Sequence, residues 1–247
     1  MEDRGLKDRN TLQIEAPLEP ELPICDAHHH LWERPPHGYL LDDLLLDLGA
    51  GHNIVSTVAI ECRYGYRKGG PEELQPVGEV EFLEAVAQQV AANPAITSRI
   101  AGAIVGHANL TLGDAVAPVL EAHLAASPQR FRGIRHSTTW DASAALRSEA
   151  ARGLLADDGF RRGFAWLEKL GLSFDAWVYH PQLPEVAQLA RRFLDVTIIV
   201  NHIGAPLGVG PYAGKRNDVF QEWSQGIATI ATCPNVVVKL GGVGSLR

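Results

Sequence analysis

Cysteine is scarce in this chain, positive charge is in deficit, and no long apolar run occurs. The three cysteines, Cys25, Cys62 and Cys233, are odd in number and widely spaced. That excludes a disulfide scaffold, and without a C-x-x-C pair a thiolate zinc site is unsupported. Free thiols in a reducing compartment are the expectation. Lys and Arg number 22 against 29 Asp and Glu, a net charge of -7, with no basic cluster. Nucleic acid and anionic lipid are therefore not expected partners. No apolar stretch approaches the roughly 20 residues that span a bilayer. The N-terminus is charged and Pro-rich and lacks the apolar segment of a signal peptide. Residues 1–22 read as a flexible tail, and a cytoplasmic protein is expected.

Two phosphate-binding signatures are also missing. No G-x-G-x-x-G follows the first strand-like run. The segment from Gly208 to Lys215 falls short of a phosphate loop, with Val209 in place of the first glycine and Arg216 in place of Ser or Thr. It reads instead as a loop over the mouth of the fold.

What is present is alternation. Seven runs rich in Val and Ile are strand-like: Ile24–Leu31, Ile54–Cys62, Arg99–His107, Phe131–His136, Leu172–His180, Val196–His202 and Val236–Leu240. Most are apolar throughout, the mark of parallel strands covered on both faces. Between them lie helical patterns at Tyr39–Leu48, Glu79–Ala92, Leu112–Ala126, Asp157–Leu170, Pro184–Phe193 and Asn217–Ala231. Most stop at Gly or just before Pro. This order predicts βαβ units and a parallel sheet. Polar residues and histidines at nearly every C-terminal strand end favour a (β/α)8 TIM-barrel over an open doubly wound sheet. The barrel domain would occupy residues 23–247. With seven strands read and none after Leu240, the barrel is expected to be incomplete. The eighth strand would be missing at the C-terminus, the chain truncated, and the open barrel edge available for self-association.

Asp26, His28 and His30 alternate on the first strand, so His28 and His30 share a face and His29 points away. Two imidazoles at this spacing can chelate one metal ion, and a buried His-x-His is costly unless something binds it. His180 and His202 end the fifth and sixth strand-like runs, where they would converge with His28 and His30 on one mouth. Arg135 and His136 close the fourth run and are the candidate substrate-binding residues. Arg135 is read either as a bidentate clamp for a substrate carboxylate or as one half of an ion pair on the rim. Glu61, Arg63 and His107 end the second and third runs and are candidates to line the mouth. Lys239 interrupts an apolar strand and is expected to have a partner. His37, His52 and His123 read as surface imidazoles.

The sequence Asp26-Ala27-His28-His29-His30-Leu31-Trp32, with His180-Pro181 and Asn201-His202-x-Gly204, resembles the amidohydrolase-related family over residues 22–247. That group includes sugar-acid lactonases, a pyrone-dicarboxylate lactonase and carboxylic-acid decarboxylases. The resemblance implies that His28, His30 and His180 ligate a divalent metal, zinc above all, and that His202 orients or activates the attacking water. It also implies an Asp on strand eight, which has no counterpart here. Some lactonases of the group act without a metal. The expected activity is opening of a small carboxylated or sugar-acid lactone. Decarboxylation on the same scaffold and a non-catalytic fragment are the alternatives.

Overall fold

A computed structural model describes residues 16–242. Of the expected tail, residues 1–15 lie outside the described residues. Residues 16–22 form mostly exposed turns, with Leu22 N–H donating to the Glu19 carbonyl at 3.2 Å.

Seven parallel strands form one sheet. In spatial order they are β1 (Ile24–His29), β4 (Ile54–Ile60), β5 (Arg99–Gly106), β6 (Phe131–Ile134), β7 (Ser173–Ala176), β8 (Ile198–Val200) and β9 (Val236–Val238). Each strand pairs with the next in the chain, the winding of a (β/α) barrel. The sheet curls so that β1 and β9 both line one cavity of about 810 Å³. They do not pair with each other, so among the described residues the sheet has seven strands and two free edges. This is the incomplete TIM-barrel architecture expected from the alternation.

The crossover helices are α1 (Leu41–Leu48), α2 (Val77–Ala91), α3 (Ala117–Ala126), α4 (Asp158–Leu170), α5 (Leu183–Arg192) and α6 (Arg216–Ile230). Their limits follow local chemistry. Asp157 caps α4 by accepting the Phe160 N–H at 2.7 Å, and Gly171 ends it in the left-handed region. The first third of the run expected as α3 is instead part of a 3-10 segment over Leu110–Val116, broken at Gly113. A small antiparallel pair, β2 (Trp32–Arg34) and β3 (His37–Tyr39), precedes α1. It was not visible in the sequence, because the Pro35-Pro36 turn interrupts any period-two pattern.

The core fills the space between sheet and helices. Phe164 meets Phe174 edge-to-face at 5.1 Å between ring centroids, and Phe160 meets Phe174 at 6.0 Å. His123 lies in this layer, fully buried and stacked on Phe131 at 4.9 Å, so its reading as a surface imidazole is corrected. The helical pattern around it is apolar on nearly every side, which left no polar face to mark its orientation. Of the cysteines, Cys25 is exposed and Cys233 buried, and all three are free thiols.

Candidate active site at the C-terminal strand ends

The strands end earlier than their apolar runs. β6 stops at Ile134, β7 at Ala176 and β8 at Val200. Arg135, His136, His180 and His202 therefore sit on the turns that follow, at the C-terminal rim where barrel chemistry is placed.

On β1 the period-two rule holds. His29 turns to the helix side and its Nε2 lies 2.9 Å from Thr57 Oγ1. His28 and His30 face the other way, with their Nε2 atoms 3.2 Å apart. The Ile60 carbonyl, 2.8 Å from His30 Nδ1, can only accept. It fixes the proton on Nδ1 and leaves the His30 Nε2 lone pair free. The ring of His202 packs 4.5 Å from that of His28 and edge-on to Trp177 at 5.0 Å.

His202 occupies a strained turn. Its φ is +49°, and Ile203 and Ala205 are also left-handed. Non-glycine residues hold such angles only where their surroundings fix them. Here Ile203 N–H donates to the Lys239 carbonyl at 3.1 Å, and the Ile203 carbonyl accepts from Trp223 Nε1 at 2.6 Å. Gly242 lies against the ring: a Cβ there would sit 2.4 Å from His202 Nδ1.

Two cations flank the histidines. Arg135 donates from Nε to Glu61 Oε1 at 2.7 Å and from Nη2 to the Glu61 carbonyl, while Nη1 lies 3.4 Å from His28 Nε2. The Nε and Nη2 groups of Arg135 are thus engaged by Glu61, while Nη1 faces the histidines. Lys239 Nζ binds Asp175 Oδ2 at 2.6 Å, and Asn201 Nδ2 reaches the same oxygen at 2.9 Å. The partner expected for Lys239 is thus Asp175. A charge inside the buried run Leu172–His180 was the available signal for it. Burial, then Lys239 and Arg135, hold His28 far below the ordinary histidine range. Burial and Arg135 push His30 down to about 4. His202 is lowered by the same causes, burial first. All three are neutral at physiological pH.

His180 does not join this group. Its Nδ1 accepts the Leu207 N–H at 3.4 Å, its Nε2 lies 3.5 Å from Glu222 Oε2, and Tyr212 packs on its ring. The Gly208–Lys215 loop thus sits against His180 through Tyr212, whose hydroxyl donates to Asp141 at 2.8 Å. His136 faces a second pocket with His107 and Arg63.

The fit to a divalent ion can be judged from the imidazoles. Two nitrogens bound to a tetrahedral zinc at about 2.05 Å stand about 3.3 Å apart, close to the His28–His30 separation of 3.2 Å. The fixed His30 tautomer and the unpartnered buried Nδ1 of His28 are compatible with ligation through both Nε2 atoms. Two coordination positions are matched. A third is not, since no group of three or more His, Cys, Asp or Glu is arranged to hold a metal among the described residues.

A parallel sheet curled around histidines at its C-terminal rim has the architecture of a (β/α)-barrel enzyme. The amidohydrolase family model matches residues 25–246, and the chain belongs to that family. An uncharacterised protein of Sinorhizobium fredii is 28% identical over 246 residues, covering 91% of this chain and 74% of that protein. An L-fucono-1,5-lactonase of Burkholderia multivorans is 27% identical over 231 residues, covering 88% of this chain and 67% of the enzyme. The crystal structure of an amidohydrolase from Burkholderia multivorans with bound zinc superimposes with a TM-score of 0.66 at 24% identity. It covers 90% of this chain and 70% of its own. That structure supports the barrel fold. No helix among the described residues is long and apolar enough to cross a membrane.

Proposed function

We propose that this amidohydrolase opens a small lactone by attack of water on the ring ester. The observation that carries the reading is the convergence of neutral His28, His30 and His202 with Arg135 at one mouth. The lactonase named among the relatives supports the same class. His202, kept neutral by burial and by the neighbouring cations, accepts a proton from water as its oxygen bonds to the lactone carbonyl carbon. The Nη1 of Arg135 is the donor left to face the developing oxyanion. When the ring C–O bond breaks, the proton on His202 passes to the leaving alkoxide, and the product is the open hydroxy acid.

His28 and His30 would hold a zinc-class divalent ion, and His180 contributes no ligand in this arrangement. Such an ion, when bound, polarises a carbonyl and acidifies water. Because the Arg135 fork is committed to Glu61, a sugar-derived lactone suits the site better than a carboxylated one.

The test is acid release from a panel of sugar-acid and carboxylated lactones, with and without added zinc. Turnover of sugar-acid lactones, abolished by His202→Asn, supports the proposal. Carbon dioxide release from an aromatic acid with no lactone turned over would replace hydrolysis by decarboxylation.

A further inference from the structure

A second pocket of about 510 Å³ lies on the rim beside Arg135, lined by Tyr66, His107 and His136 among others. Its wall is built rigidly. Glu79, fully buried at the start of α2, accepts the main-chain N–H groups of Cys62 at 2.8 Å, Tyr64 at 3.2 Å and Arg63 at 3.3 Å. The loop after β4 approaches α2 so closely that a Cβ on Gly78 would sit 2.5 Å from the Gly65 carbonyl. Arg63 and Tyr66 are carried on that loop.

The proton positions in the pocket follow from the backbone. His136 Nδ1 accepts the Leu110 N–H at 3.2 Å, so the neutral ring carries its proton on Nε2 and presents a donor. His107 Nδ1 lies 3.0 Å from the Arg135 carbonyl, which can only accept, so its Nε2 presents a lone pair. Burial lowers both rings, His136 to about 3, and both are neutral at physiological pH. The two rings stand 5.5 Å apart, nearly perpendicular. Tyr66 lines the same pocket, and its buried hydroxyl has no hydrogen-bond partner among the described residues. A donor beside an acceptor is the complement of neighbouring hydroxyl groups, each of which both gives and takes a proton. The carboxylates of Glu72, Glu73 and Glu149 line the pocket against one guanidinium, Arg63, itself 3.1 Å from Glu149. An anionic ligand would meet excess negative charge.

We infer that His107, His136 and Tyr66 form a subsite for the neutral polyhydroxyl part of the substrate, selecting hydroxylated over deoxygenated and anionic lactones. The inference takes its substrate class from the lactone reading, but its binding test does not depend on turnover. The probe is a polyhydroxylated 1,5-lactam, with its dideoxy and carboxylated counterparts, titrated by calorimetry. His136→Asn and His107→Asn place an amide where each Nδ1 now bonds and remove Nε2. Tyr66→Phe removes one oxygen and is the variant least able to disturb folding. Each variant should weaken the polyhydroxylated lactam about ten-fold, the scale of one lost hydrogen bond. The dideoxy lactam should bind wild type and variants alike, and the carboxylated one should bind wild type more weakly than the neutral polyol. Unchanged affinity of the polyol in all three variants overturns the subsite. So do equal losses for the dideoxy lactam, no polyol binding by wild type, or preference for the anion. The expected binding pattern in a protein that opens no lactone keeps the subsite and removes the lactonase reading.

Discussion

Asp175 on β7 and Lys239, one residue past β9, meet at 2.6 Å across the intervening strand β8. The Asp175 side chain is fully buried and that of Lys239 is 9% exposed. Removing one member of such a pair leaves a buried charge alone, a loss of about 3–5 kcal/mol. Lys239→Met is therefore expected to lower unfolding stability on that scale in urea. The double variant Lys239→Met/Asp175→Leu should recover much of it, because apolar pairs of similar volume replace buried ion pairs at little cost. Additive losses in the double variant would contradict this account.

A methyl group at Gly242 would reach the His202 ring. Gly242→Ala should displace the imidazole and, with φ at +70°, strain the turn as well. A displacement near 1 Å costs about a hundred-fold in rate. Lactone turnover is expected to fall by that order while the melting temperature changes little. A variant with wild-type turnover would detach His202 from the chemistry.

His123 makes stability depend on pH. Burial lowers it from the ordinary histidine value of 6.5 to about 4. Its folded value lies below its unfolded one, so the unfolded chain binds the extra proton. The contribution is complete above 6.5 and drains away as pH falls toward 4. At pH 5 about 2 kcal/mol should be missing relative to pH 7. Urea titrations of wild type and His123→Gln at both pH values measure it; Gln keeps a donor for the His107 carbonyl but does not titrate. An identical pH response in the two proteins would refute the assignment.

Zinc binding can be read without activity. The protein dialysed against zinc should retain about one ion, by elemental analysis, and His28→Ala/His30→Ala should retain none. His180→Ala should leave the content unchanged, because His180 faces Glu222 and Leu207 rather than the pair. Loss of the ion in His180→Ala would restore it as a ligand.

Among the described residues β1 and β9 are the edge strands of the sheet and present unpaired main-chain groups, and Val237 and Leu240 nearby are 51% and 91% exposed. Such edges recruit other chains. Size-exclusion chromatography should show this chain associating in a concentration-dependent way, and a strict monomer at high concentration would argue against it.

Much of the fold was legible because parallel strands and their crossover helices leave separate periodicities. The β1 histidines were legible for the same reason: alternation alone puts His28 with His30 and sends His29 to Thr57. The turns after the strands were not. Apolar runs continue past the last paired residue, so His180 and His202 looked alike as strand-end residues. Their rings diverge because left-handed φ angles at His202 and Ile203 turn one toward His28, while a 3-10 turn at His180–Gln182 takes the other to Glu222. Neither conformation has a signature in residue type, since glycine is absent from both positions. The Asp175–Lys239 pair escaped because its members lie 64 residues apart and only the strand order brings them together.

His30, His107 and His123 each direct a ring nitrogen at a main-chain carbonyl, those of Ile60, Arg135 and His107 respectively. Which nitrogen carries the proton is thus decided by the peptide backbone, which no side-chain replacement at the accepting residue can delete. A carbonyl is lost as an instruction only if the main chain that carries it shifts. Proton placement on these rings is therefore inherited from the course of the main chain. Relatives could exchange nearly every lining side chain for a new substrate while their imidazoles kept the same donor and acceptor faces.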